Sequence, residues 1–209
     1  MRSTALPIHP GLAGNGRLPA LPKEGQWSDT IAMATLFGAG VIAGMTTLLI
    51  DSKMQIPGNA ILRAVFPMAL GLSLAPRRMG GMVMATGALS SVMAIKLGGF
   101  ATLGFGATTS LMLAGPALDA ALWRARRGWR LYLAFAMAGL GANLIALAMR
   151  AGGKLMGFDR IAAKPFGIWW VEAIGTYTAC GLAAGLLGAL VWFQFSSKKR
   201  DQVDAETTT

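Results

Sequence analysis

Six stretches of nearly continuous apolar sequence run along this chain, at roughly 29–50, 58–75, 79–97, 99–123, 130–149 and 167–195, each closed by a polar or basic cluster. A helix crosses a hydrocarbon core of about 30 Å with about 20 mostly apolar residues. The pattern therefore predicts an all-α, polytopic membrane protein: a six-helix transmembrane bundle. The second and third runs lie near the lower limit of length, and the sixth is long enough to tilt. Residues 1–28 hold Pro7, Pro10, Pro19 and Pro22 with scattered Gly and no apolar core of secretory-signal length, so a flexible cytosolic tail is expected there. The segment 196–209 is polar, ends in a Thr run, and is expected to fray as a second cytosolic tail. The six runs leave no room for a separate soluble domain.

The charges between the runs are sorted by side. If six spans alternate, the N-terminal tail, the second and fourth loops and the C-terminal tail share one face and carry twelve of the 19 Lys and Arg residues. The opposite face carries six: Lys53, Lys96, Arg150, Lys154, Arg160 and Lys164. Short cytoplasmic loops hold the excess of basic residues, so both termini are expected in the cytoplasm, in a bacterial inner membrane. A net charge of +10 does not change the picture, because the basic residues cluster at span ends, where they anchor to lipid headgroups rather than nucleic acid.

Composition narrows the chemistry. A chain that is 54% hydrophobic, with a mean hydropathy of +0.53, does not suit a soluble globule. One cysteine, Cys180, and one histidine, His9, lie far apart, which argues against a zinc site and against Ser-His-Asp or Cys-His catalysis. No metal, cofactor or catalytic group is expected, and the chain is not read as an enzyme.

Ionisable groups inside a membrane are costly and mark function by default. Asp51 falls at the outer end of the first run, Arg63 about a turn into the second, Lys96 at the outer end of the third and Glu172 about a turn into the sixth. Asn59 and Asn143 add amides at similar depth. Trp169, Trp170 and Tyr177 flank Glu172, and Glu172, Trp169 and Ala173 share a face by helical spacing. Asp51, Asn59, Arg63, Asn143, Trp169, Glu172 and Tyr177 are thus the candidate solute-binding residues. For each a plainer role stands beside it: an internal ion pair for Arg63 and Glu172, interfacial anchoring for the two Trp, solvation for Asp51 and outward snorkelling for Lys96. Asp119, at the other face, is expected to pair with Arg77, Arg78 or Arg124. Gly115-Pro116 makes the fourth span a candidate for a kink or an unwound segment. The fifth loop, about 150–166, is either a passive re-entry or a lid over the outer mouth.

Small residues are dense, with 28 Gly. The first span carries Ala39-xxx-Ala43 and Gly40-xxx-Gly44, and the sixth Gly181-xxx-Gly185. Such faces let helices approach closely in lipid. They serve either the protein's own helices or a partner subunit.

Six short Gly-rich spans in about 200 residues resemble the substrate-binding S component of an energy-coupling factor (ECF) transporter. The texture of Ile56-Pro57-Gly58-Asn59-Ala60-Ile61, Phe66-Pro67-Met68-Ala69-Leu70-Gly71 and Gly115-Pro116-Ala117-Leu118-Asp119 is similar as well. The resemblance covers about 30–200. It implies a small-molecule solute bound from outside and energy supplied by a transmembrane coupling protein and ATPase subunits. Ala39, Gly40, Ala43 and Gly44 would then be the docking face. Members that take up cobalt or nickel have a His-rich N-terminus, which this chain lacks. The expected function is therefore an uptake module for a small molecule. The alternative is a scaffold or accessory subunit of a larger membrane complex.

Overall fold

The computed structural model describes residues 29–51, 57–77, 79–100, 104–124, 128–157 and 166–207. They form six helices: α1 (Asp29–Asp51), α2 (Ala60–Leu74), α3 (Gly80–Leu97), α4 (Phe105–Arg124), α5 (Gly128–Leu155) and α6 (Phe166–Thr207). Among the described residues there is no strand. The helices close a ring in the order α1, α3, α4, α5, α6, α2, and α2 also reaches across to α4. Consecutive helices are neighbours except α2 and α3, which barely touch.

Large apolar side chains face outward on every helix, among them Ile42, Phe66, Met93, Met112, Ile145 and Leu187. Water would penalise such a surface, and hydrocarbon accepts it. Four helices contain stretches long and apolar enough to cross a membrane: Asp29–Leu49, Gly80–Leu97, Trp129–Leu155 and Phe166–Gln194. The chain is a multi-pass membrane protein. The other two helices depart from the expected pattern. α2 has only 15 residues, about 22 Å of helix at 1.5 Å per residue. α4 begins at Phe105 rather than near 99, and Thr108-Thr109-Ser110, Pro116 and Asp119 dilute its apolar content. Pro116 lies inside α4, which continues as helix to Arg124, so no unwound segment occurs there.

Glycines set how closely the helices meet. A Cβ on Gly40 would lie 2.0 Å from the Met84 carbonyl oxygen, and one on Gly44 would lie 2.1 Å from Ser91 Oγ, so α1 and α3 run backbone against backbone. Gly81 and Gly115 do the same for α3 and α4, each blocked at 2.0 Å by the other's carbonyl oxygen. In α5 and α6, Gly139 abuts Gly181 and Gly185. Ala43 is fully buried and Ala39 lies against Gly71 of α2. The small-residue face of α1 is thus occupied by the protein's own helices.

Helix ends follow local chemistry. α2 stops at Ala75 because Pro76 disfavours helical backbone before it. α3 ends in a Schellman turn: Gly99 has φ +74°, its N–H donates to the Lys96 carbonyl, and the Phe100 N–H donates to the Ile95 carbonyl. α5 ends similarly at Gly157, with φ +76° and its N–H donating to the Lys154 carbonyl. α6 runs on as helix to Thr207, past the apolar stretch ending at Gln194, where fraying from Ser196 was expected.

At the end where α1 and α3 begin, Asp119 of α4 reaches the start of α3. Its Oδ1 accepts the Gly81 N–H at 2.8 Å and its Oδ2 accepts the Met82 N–H at 3.0 Å. The residue preceding α3 is Met79, in left-handed conformation with φ 62° and no side chain to cap the helix. A carboxylate from another helix fills that role, where the helix dipole favours negative charge. Arg77 pairs with Asp29 in the first turn of α1, and the side chains of Arg78 and Arg124 lie outside the described residues.

Candidate functional site

From the middle of the bundle toward its opposite end lie the buried polar residues Asn59, Ser110 and Asn143. Asn143 of α5 is fully buried and joins four elements. Its Nδ2 donates to the Tyr177 carbonyl of α6 at 2.7 Å and to the Gly58 carbonyl, just before α2, at 3.2 Å. Its Oδ1 accepts from Ser110 Oγ of α4 at 3.1 Å. Both amide hydrogens are committed within the protein, so Asn143 organises the site rather than presenting donors to a ligand.

Tyr177 fills the space beside this node. Gly58 lies on its ring: a Cβ there would come within 2.9 Å of Tyr177 Cγ, and the φ of +84° at Gly58 also favours glycine. The Tyr177 hydroxyl faces Gly106 of α4, where a Cβ would lie 2.7 Å away. Asn59 is buried at the start of α2 without capping that helix through its side chain, and Arg63 is half-buried one turn on.

These contacts fix a depth. Gly58 is bonded to Asn143, and Asn143 precedes Leu155, the last residue of α5, by twelve residues. At 1.5 Å per residue, α2 begins about 18 Å below the end of α5. A short helix starting inside the bundle directs the positive end of its dipole into the protein interior.

Above that level α5 and α6 form a second, smaller apolar core of Ala146, Leu147, Ala151, Trp169, Ala173 and Tyr177. Trp169 is only 4% exposed, which sets aside interfacial anchoring for this residue. Phe166 and Trp170 lie against it, with ring centroids 5.8 and 6.3 Å away. Two cations of α5 sit over its face, Arg150 Cζ at 5.8 Å and Lys154 Nζ at 4.7 Å from the centroid. Among the described residues its buried indole Nε1 has no hydrogen-bond partner.

The expected residues divide accordingly. Asn59, Arg63, Asn143, Trp169 and Tyr177 gather at one end of the bundle, on α5, α6 and the start of α2. Glu172 is exposed, beside rather than on the inward stripe of Trp169, Ala173 and Tyr177. Each four-residue step turns the inward stripe by about 40°, whereas Glu172 lies about 60° to the other side of Trp169, away from Ala173 and Tyr177. Lys96 is exposed in the last turn of α3. The side chain of Asp51 and residues 158–165 of the proposed lid loop lie outside the described residues, and 150–155 of that loop belong to α5. Ser110, Gly58, Gly106, Arg150 and Lys154 were not among the expected site residues. Among the described residues no three of His, Cys, Asp and Glu gather to hold a metal ion. Comparison with protein-family models, curated proteins and solved structures finds no match to this chain.

Proposed function

We propose that this protein is an uptake module that binds a small molecule at the Trp169 end of the bundle and draws energy from partner subunits. The observation that carries the reading is the position of α2. A 15-residue helix starts beside a buried amide about 18 Å below the end of α5, with Asn59 before it and Arg63 in its first turns. Short helices beginning at membrane depth, with polar groups from facing helices around them, are how membrane transporters build solute sites. The distribution of basic residues supports a reading with that end outside and both termini in the cytoplasm, and we propose that the membrane is a bacterial inner membrane. The likeness to ECF S components supplies the partners of this reading, a transmembrane coupling protein and ATPases, which would have to dock away from the α1 face that α3 covers.

In this reading Arg63 meets the solute's polar group, Asn143 and Tyr177 hold the floor, and Trp169 lines the wall. The test is solute uptake or retention by Arg63→Ala. Loss of at least tenfold with normal membrane insertion is expected, and unchanged uptake would sink the proposal. A second reading, an accessory subunit of a membrane complex, draws support from the Asn143 amide, whose donors are all spent internally. Stable co-purification with a larger complex, with no solute retained, would favour it.

A further inference from the structure

We propose that Trp123, Trp129 and Arg130 form a seat for the headgroup of an anionic phospholipid, at the corner where α4 ends and α5 begins. The seat goes beyond general anchoring at the membrane surface, because it selects one lipid class, and it does not depend on the uptake reading. Three observations meet here. The first is depth. Ser110 of α4 bonds Asn143 of α5. Trp123 follows Ser110 by thirteen residues and Trp129 precedes Asn143 by fourteen, about 20 Å in either case at 1.5 Å per residue. The two indoles thus share one level. The apolar stretch of α5, Trp129–Leu155, has 27 residues, about 40 Å along its axis. That exceeds a hydrocarbon core of about 30 Å and matches a bilayer of about 40–45 Å with its headgroups. The start of α5 therefore reaches the headgroup layer.

The second observation is that both rings are open there, Trp123 at 80% exposure and Trp129 at 49%. Indoles favour this layer, where the ring meets lipid and the N–H meets polar groups. The third is Arg130, an exposed residue whose guanidinium carbon lies 5.7 Å from the Trp129 ring centroid. A cation over a ring face keeps its N–H donors, and among the described residues no hydrogen bond or ion pair occupies those of Arg130. Its planar fork matches two oxygens of a phosphodiester. The sequence joining the tryptophans adds Arg124, Arg126 and Arg127 and no acidic residue, so positive charge dominates the corner. The one acid of α4, Asp119, has its two oxygens on the Gly81 and Met82 N–H groups. Phosphatidylglycerol brings a negative phosphate with no cation beside it, whereas the ammonium of phosphatidylethanolamine is repelled by this charge.

The test titrates the full chain in a neutral detergent with phosphatidylglycerol and phosphatidylethanolamine of identical acyl chains, and reads the adducts by native mass spectrometry. A phosphatidylglycerol adduct about fivefold more abundant, or more, is expected. Arg130→Gln should lower it about fivefold, and Trp129→Leu about threefold by releasing Arg130 from its ring. Lys96→Gln removes an exposed cation from the other end of the bundle and should leave the adduct unchanged. All three positions are exposed, and unchanged thermal midpoints check that each variant folds. Equal adducts of the two lipids, or no adduct, overturn the seat. So does an adduct unchanged in Arg130→Gln or Trp129→Leu, and so does an equal loss in Lys96→Gln, which marks unspecific attraction between charges. Glycerol phosphate, the headgroup without chains, should form no adduct of comparable abundance; if it does, the occupant is a soluble anion and the lipid assignment falls. An acidic polypeptide retained in place of lipid and lost in Arg130→Gln overturns the seat in favour of a protein partner.

Discussion

Asn143 shows what one side chain does in this membrane protein. Its amide ties α4, α5, α6 and the approach to α2 together through three hydrogen bonds. Replacing it by Leu strands Ser110 and two carbonyls in an apolar core. Interhelical bonds in lipid are individually modest, roughly 0.6 kcal/mol and up to about 1.7. Asn143→Leu should therefore destabilise by about 1–2 kcal/mol, seen as a lower thermal midpoint in detergent. Gly58→Ala should do comparable damage, because it strains a positive φ and presses on the Tyr177 ring. Asn143 and Tyr177 were legible in the sequence as rare polar groups within apolar runs. Arg150 and Lys154 were not, for a definite reason. Arg150 interrupts the apolar run and so marks a span end by composition, but a cation does not break a helix. α5 continues until Gly157 supplies a left-handed turn, and that continuation brings two apparent loop cations onto the ring of Trp169.

Among the elements, the glycines of α1 separate into two kinds. Gly40 is blocked by the Met84 carbonyl, whereas nothing lies within 4 Å of a Cβ on Gly38. Gly40→Ala should cost about 1–3 kcal/mol by forcing α1 and α3 apart. Gly38→Ala should be neutral or gain up to about 1 kcal/mol from helix propensity. Thermal melts of the two single variants in the same detergent check the contrast. The small-xxx-small pattern was readable in sequence, but its partner was not, because α3 lies two helices away along the chain. Asp119 belongs to the same scale. Asp119→Ala removes the cap of α3 and should cost about 1 kcal/mol, and Asp119→Asn should lose less by keeping one acceptor. Sequence pairs acids with nearby bases and does not show that the backbone N–H groups of a helix start, aligned by the Gly81–Gly115 contact, also take this carboxylate.

For the whole molecule, the six-helix count and the membrane setting were legible because apolar length and charge bias are one-dimensional signals. Helix depth was not, since it depends on which residue of one helix bonds which residue of another. The orientation proposed above has a direct check. In a Cys180→Ala background, Met156→Cys should react with an impermeant thiol reagent added outside intact cells. Trp123→Cys, exposed at the other end, should react only after permeabilisation. The reverse pattern would invert the proposed topology. Ile145, which faces outward midway along α5, tests the lipid assignment: Ile145→Arg should cost about 2.5–3.5 kcal/mol of insertion and deplete the protein from membrane fractions.

The ring order has a consequence for biogenesis. α1 leaves the ribosome first, but the glycine groove it presents fits α3, and α2 emerges between them. Until the third helix is delivered to the bilayer, the close-fitting seam of the first stays open to lipid or to a chaperone. Premature release from the translocon after two helices would leave a hairpin without its tightest joint, the stage at which a Gly40 variant would be degraded.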